Sequence, residues 1–267
     1  MTHAYHFVAR ALPTLTPLKD RDACADLWHR LQKRFPKIAA CVFMPNHLHI
    51  LLFVDHPARA RWDLGVELRA WTQRFQPKLN IWSAIPEPRK VPDFHHLKRQ
   101  IRYVHLNPCR AGLAADPLQW EWSTHRDIAG CAIDVWPDLP MLAKTYGAPL
   151  PQLGRVMHQH ISSDPSVATT GTPMIRTPRN GEPISADMTF ILLACAVARR
   201  EPMILQRGKL RDLTVQTAHQ LGLNPEPAKL RISKKSWNRA VQRCPDQTAI
   251  KTVLRILADP RCRGLPQ

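Results

Sequence analysis

The chain reads as an α+β domain over residues 1–130, then a Pro/Ser/Thr-rich connector with short helices over 131–184. A basic, mainly α-helical region over 185–267 follows. Three observations predict this. Two β-type apolar runs, Ile38–Phe43 and Leu48–Val54, are separated only by a tight Met-Pro-Asn connection. Segments with apolar residues at three- and four-residue spacing stand before and after that pair. Beyond residue 131 prolines crowd in, and past 185 only helical periodicity returns.

Tyr5–Ala11 has the composition of a first strand. Asp22–Phe35 is a predicted helix with Cys24, Leu27, Leu31 and Phe35 on its inner face, and Ile38–Phe43 and Leu48–Val54 form a hairpin. Asp63–Phe75 is a second helix, with Leu64, Leu68, Trp71 and Phe75 in register. Residues 76–92 hold Pro77, Pro86, Pro88 and Pro92 and read as a loop. Asp93 can cap a third helix through Phe94, Leu97, Ile101 and Val104, with Pro108 as its stop. Asp138–Tyr146 and Leu150–His160 are predicted short helices, with His158 and His160 on the surface, and 161–184 is a linker. Ser185 caps a helix over Asp187–Arg200, Lys209–Leu221 is another that ends at Gly222, and Ser233 caps a basic helix through Arg243. Helix, Gly-containing turn and basic helix suggest a helix-turn-helix-like DNA reader, although residues 222–232 are long for that turn. A generic bundle with a basic face fits equally well.

The most informative segment is Met44-Pro45-Asn46-His47-Leu48-His49-Ile50-Leu51-Leu52-Phe53-Val54. On a strand, residues i and i+2 share a face, so His47 and His49 project together while Leu48 points into a core. Two neutral imidazoles side by side are half of a divalent-metal site. In a chain with 13 His, they could equally be surface residues. Their partner segment is Tyr103-Val104-His105-Leu106-Asn107-Pro108-Cys109-Arg110-Ala111-Gly112-Leu113. There Arg99, Tyr103 and Asn107 stack at four-residue intervals on one helix face.

Together these segments resemble the REP-associated tyrosine transposases, a branch of the single-tyrosine HUH nucleases, named for a His–hydrophobic–His motif. Asp116-Pro117 through Trp122-Ser123 extends the likeness, which covers roughly residues 1–130. The resemblance implies a ferredoxin-like antiparallel sheet with helices on one face. It implies Tyr103 as nucleophile and His47, His49 and Asn107 as ligands of Mg²⁺ or Mn²⁺. The implied activity is cleavage and transfer of single-stranded DNA at hairpin, REP-type palindromes through a 5′-phosphotyrosine. A phenol has a pKa near 10 and needs activation to attack phosphorus, which a divalent cation on the phosphate assists. The alternative is a catalytically silent, domesticated relative that binds DNA hairpins as a regulator. A third reading is a small-phosphoester hydrolase. The family also leaves monomer and homodimer open.

Composition agrees with a polyanionic partner. The formal net charge is +17 with a pI near 10.2, and after residue 184 there are 15 Lys and Arg against 6 acidic residues. Lys98, Arg99, Arg102 and Arg110 around the Tyr helix, and Lys234, Lys235, Arg239 and Arg243 on the basic helix, are the candidate DNA contacts. A solvated charged face is the competing reading. Only Tyr5, Tyr103 and Tyr146 compete for the nucleophile; Tyr5 lies on the first strand and Tyr146 precedes a turn glycine. No C-x-x-C pair and no glycine-rich phosphate loop occurs, so neither a zinc ribbon nor a nucleotide cofactor is expected. The seven scattered Cys, the lack of an evident signal peptide and the short apolar runs suggest a soluble cytoplasmic protein without membrane contact, and the resemblance implies a bacterial, nucleoid-associated one.

Overall fold

Strict alternation of side chains builds the central sheet. The computed structural model describes residues 3–129, 135–164, 208–223 and 232–257, together with 191, 192, 194, 195 and 198. These fall into two compact units, the first holding 3–129 and 135–164, the second the described residues from 191 onward. In the first unit β1 (His3–Arg10), β2 (Ile38–Met44), β3 (His47–Val54) and β4 (Arg89–Val91) form one antiparallel sheet in the order β2-β3-β1-β4. With α1 (Arg21–Arg34) between β1 and β2, and α2 (Pro57–Phe75) between β3 and β4, this is the ferredoxin-like arrangement expected. The two-residue Pro45-Asn46 turn joins β2 to β3. Its carbonyls accept from the amides of Leu18 (3.1 Å) and Ala11 (2.8 Å), which fixes the hairpin end.

The two sheet faces separate by alternation. Phe7, Ala9, Cys41, Phe43, Leu48, Ile50 and Leu52 face α1 and α2 in a core containing Trp28 and Trp71. The opposite face carries Ala4, Val42, Met44 and Leu51, and is sealed by α3 (Phe94–Arg110) through Leu97, Ile101 and Val104. Helices therefore cover both faces, because the Tyr helix brings an apolar stripe of its own. Asp93 caps that helix as expected, its Oδ1 accepting from the His96 amide at 2.8 Å. Pro108 does not stop it. The helix runs to Arg110 and ends at Gly112, whose φ of +67° suits the left-handed cap; Leu113 N–H then donates to Pro108 O at 2.9 Å. One missing amide near a helix end is affordable once the next turn is closed by such a cap.

Residues 76–92 are not wholly loop, since Arg89–Val91 pairs with Ala4–His6 on the sheet edge. The other edge, β2, is covered as well. Phe43 N–H donates to Trp122 O at 2.9 Å, Thr124 N–H to Cys41 O at 3.0 Å, and the Thr124 hydroxyl accepts from Cys41 N–H at 2.8 Å. The β2 edge is therefore not left as an open pairing template. Helices α5 (Leu139–Tyr146) and α6 (Leu150–Ser162) match the two short helices expected. Leu142, Tyr146, Leu153, Met157 and Ile161 pack into the same core as α3. The linker predicted over 161–184 starts too early, since Ile161 and Ser162 belong to α6; its residues 165–184, and Ser185 and Asp187 of the helix after it, lie outside the described residues. In the second unit Lys209–Gln220 ends at Gly222 (φ +71°) as expected, and Ser233 caps Lys234–Gln242. A further helix, Gln247–Leu257, completes an apolar core around Leu213, Trp237 and Val253. Among the described residues no helix is long and apolar enough to cross a membrane.

His158 is buried and His160 half-buried, correcting the surface placement. His158 belongs to a file of side chains: His105 Nδ1 lies 3.1 Å from Ser123 Oγ, His125 Nε2 lies 3.0 Å from His158 Nδ1, and His158 Nε2 lies 3.3 Å from Ser162 Oγ. Burial holds His125 well below its ordinary pKa and lowers His158. These rings stay neutral in the fold, whereas in the unfolded chain they take a proton near pH 6.5. Their contribution is therefore complete above that pH and is lost as pH falls toward the depressed folded values. We expect the urea midpoint to drop between pH 7.5 and pH 5, by an amount equivalent to about 1–2 kcal/mol for each such ring. Chemical denaturation at the two pH values checks it, and an unchanged midpoint contradicts the burial. A second prediction concerns how α6 seats: a Cβ at Gly154 would fall 2.6 Å from Ile128 O. Backbone cannot yield there as a flexible side chain would, so Gly154→Ala should cost on the order of 1–3 kcal/mol in the same assay.

Candidate functional site

Three consecutive strands and α3 converge on the candidate site. Register places Arg10 opposite His47, and Val8 opposite His49, so His6, two residues along β1, reaches His49 diagonally on the same face. The rings of His47 and His49 stand 4.9 Å apart, and those of His6 and His49 are stacked at 5.0 Å. From above, α3 delivers Tyr103, which lies on the flank of the Leu97–Ile101–Val104 stripe and is 40% exposed. Its ring meets His49 edge-on at 5.6 Å and His6 at 6.2 Å. The histidine strand and the tyrosine helix do meet, across a cleft of about 480 Å³ lined by His6, Arg10, His49, Arg89, Gln100 and Tyr103.

The histidines are poised as neutral bases. Burial lowers His47 to about 4, with Arg10 adding to the shift. His49 falls to about 3, through burial first and then His6, His47 and Arg10. His6 is lowered to about 4 by burial and Arg89. The tautomer of His47 is set by its neighbour. Its Nδ1 lies 2.6 Å from Asn46 Oδ1, an oxygen that only accepts, so Nδ1 carries the proton and Nε2 keeps its lone pair. His49 uses Nδ1 toward His6 Nε2 at 2.9 Å, leaving Nε2 as its other nitrogen. A pair of imidazole Nε2 atoms on one face suits a divalent cation. Asn107 is less committed to that role: its Nδ2 donates to Tyr103 O at 3.0 Å, which leaves only its amide oxygen for a ligand. Among the described residues, Asp93, His95 and His96 at the start of α3 also have ligand atoms within 4.8 Å of one another. All three are exposed, and Asp93 is already the helix cap.

The expected DNA contacts separate into two sets. Arg99 lines an adjoining cavity that shares His6, Arg89, Gln100 and Tyr103 with the cleft. Lys98 instead lies over the Tyr146 ring at 5.4 Å. Arg102 and Arg110 pair with Asp164 at 3.3 and 3.1 Å, and Arg110 also sits 5.3 Å over the Tyr103 ring with Nη1 3.2 Å from Tyr103 O. In the second unit Lys234, Lys235 and Arg239 are exposed, while Arg243 pairs with Asp212. Tyr5 is half-buried and Tyr146 is buried, which leaves Tyr103 as the exposed phenol among the three. Sequence reasoning missed His6, Arg10, Arg89 and Gln100. The signal was present in outline: His6 and Arg10 alternate on the first strand, and Gln100 precedes Tyr103 by three helical positions.

No protein-family model and no curated protein matches the chain. A solved structure described as a REP-associated tyrosine transposase bound to a REP hairpin is similar, with a TM-score of 0.41 and 19% identity over 48% of this chain and 81% of that one. So slight a likeness assigns no activity by itself, and the geometry above has to carry the reading.

The Asp164 pairs yield a prediction. Asp164→Ala releases two guanidinium groups beside Tyr103 without touching the cleft. If they then reach phosphates, the dependence of DNA affinity on salt should steepen, with the log–log slope growing by roughly 1–2. Fluorescence anisotropy with a hairpin oligonucleotide across a salt series measures it, and an unchanged slope means Arg102 and Arg110 serve only to hold α3.

Proposed function

We propose that the chain is a metal-dependent endonuclease and strand transferase for single-stranded DNA, of the HUH tyrosine transposase type, acting at hairpin palindromes. The observation that carries this is the edge-on approach of the exposed Tyr103 ring to His49, 5.6 Å between centroids, in a cleft lined by Arg10 and Arg89 with Glu87. His47 offers its Nε2 nitrogen to Mg²⁺ or Mn²⁺, His49 offers its Nε2 in the tautomer that carries the proton on Nδ1, and the Asn107 amide oxygen is the proposed third ligand. When bound, the ion would neutralise a phosphate oxygen and make the phosphorus more electrophilic.

The chain's own residues do the rest. Tyr103 Oη attacks the scissile phosphorus and gives up its proton. The P–O3′ bond breaks, the departing 3′-oxygen takes a proton, and a 5′-phosphotyrosine remains. Because one phosphodiester bond is exchanged for another, a second 3′-hydroxyl can reverse the step and join a new strand without a nucleotide cofactor. Arg10, Arg89 and Arg99 around the cleft attract the phosphate backbone, and Arg110 over the Tyr103 ring face holds the phenol in place. The exposed Lys234, Lys235 and Arg239 extend the DNA contact in the C-terminal region.

The test is an adduct assay with a labelled hairpin oligonucleotide and Mn²⁺. Wild type should form an SDS-resistant protein–DNA species, and Tyr103→Phe should lose it entirely while binding the hairpin within about twofold. Removing one hydroxyl from an exposed ring takes little binding energy away. An adduct that persists in Tyr103→Phe sinks the assignment. A wild-type protein that binds hairpins but forms no adduct under any divalent metal is the silent hairpin-binding protein instead.

A further inference from the structure

We propose that Gln100 and His6 form a positioning relay that sets the tautomer of His49, and so decides whether its Nε2 can accept a metal ion. The proposal rests on the metal role given to His49 above. It starts from two contacts in series: Gln100 Nε2 lies 3.1 Å from His6 Nδ1, and His6 Nε2 lies 2.9 Å from His49 Nδ1. His6 and His49 are 8% and 4% exposed, so water does not readily replace the bond between them, while the part-buried Gln100 bond borders the cleft.

A neutral imidazole has one N–H and one lone pair, so each link fixes the next. In the arrangement described, the Gln100 amide nitrogen donates to His6 Nδ1. His6 must then carry its proton on Nε2 and donate it to His49 Nδ1. His49 is left with its proton on Nε2, the nitrogen that a cation needs. A half-turn of the Gln100 amide reverses every bond. Its oxygen then accepts from His6 Nδ1–H, His6 Nε2 accepts from His49 Nδ1–H, and His49 Nε2 has a free lone pair. The exchange balances without net charge: the His6 Nε2 proton passes to His49 Nδ1, His49 Nε2 releases a proton to solvent, and His6 Nδ1 takes one from solvent. His47 needs no such relay, because the Asn46 oxygen already holds its proton on Nδ1. One ligand is thus preset and the other is switchable. The switch is the one side chain in the relay that can exchange donor for acceptor by rotation, with no proton moved.

Gln100→Glu tests this, since a carboxylate only accepts and should lock the metal-ready tautomer. The full chain is labelled with ¹⁵N-histidine, and the His49 nitrogen shifts are read without metal. Wild type should carry its proton on Nε2, and Gln100→Glu on Nδ1. Mn²⁺ alone is then titrated and free ion counted by electron paramagnetic resonance. Gln100→Glu should bind about tenfold tighter than wild type, and Gln100→Met about tenfold weaker than Gln100→Glu, the scale on which outer partners of metal-ligating histidines act. In a His6→Phe background the Gln100→Glu gain should vanish, because the relay is cut. A gain that persists there reports the through-space charge of the carboxylate and overturns the relay. An unchanged His49 tautomer in Gln100→Glu, with Mn²⁺ still binding to wild type, also overturns it and leaves the metal site standing. A tautomer that moves as expected in a chain that binds no Mn²⁺ refutes the metal reading of His49, and with it the consequence claimed here.

Discussion

One sheet face has to be both a hydrophobic seam and a polar site, and most of the first unit follows from that. Alternation puts His47 and His49 on the side of Leu51, Val42 and Ala4. Those apolar residues must be covered, and α3 covers them with Leu97, Ile101 and Val104, each side chain worth on the order of 1.5–3 kcal/mol when fully buried. The helix cannot be moved without exposing that stripe. Tyr103, one position before Val104, is therefore held at the margin of the seam, beside His49, by hydrophobic burial rather than by any bond of its own hydroxyl.

The same seam explains the electrostatics. Histidines at the edge of an apolar interface lose hydration, and with Arg10 and Arg89 in strand register beside them the protonated form is disfavoured twice. A cleft that binds phosphate wants cations, while a metal site wants uncharged nitrogen donors. Burial reconciles the two by keeping the imidazoles neutral inside a positive rim. Arginine, unlike histidine, retains its charge in such a place.

The sequence made the strands and helices of the first unit legible because their periodicities are strong. His47-Leu48-His49 is a period-two signal, and Leu97–Ile101–Val104 a helical one. What it hid depends on pairing. His6 shares a face with His49 only because β1 pairs with β3 in the Val8–His49 register, and no local pattern encodes that register. Arg89 lies opposite His6 for the same kind of reason, on a three-residue strand embedded among prolines, too short to show alternation. Pro108 misled in the other direction: a proline in the last helical turn removes a single amide, and Gly112 supplies the true end. His158, solvent-facing by local composition, is buried because α6 packs on α4 (His125–Ile128), a contact no single segment announces.

The arginines show how far net charge is from a map of function. On the outer side of α3, Arg102 and Arg110 are neutralised by Asp164 just past the end of α6, and Lys98 lies on Tyr146 of α5. These are the basic residues that helix spacing made conspicuous, and each ties α3 to the helices behind it. The cations that line the cleft come from the sheet, Arg10 from the central strand and Arg89 from the edge strand, while Arg99 of α3 lines the adjoining cavity. Such a division is physically sensible. A guanidinium held by a carboxylate contributes orientation, and Arg110 transmits it directly through its contact with the Tyr103 ring. A guanidinium rooted in a paired strand is positioned by backbone hydrogen bonds, and its charge stays available for phosphate. The positive charge of the first unit therefore splits into a part held against Asp164 and the Tyr103 ring and a part rooted in the strands that line the cleft.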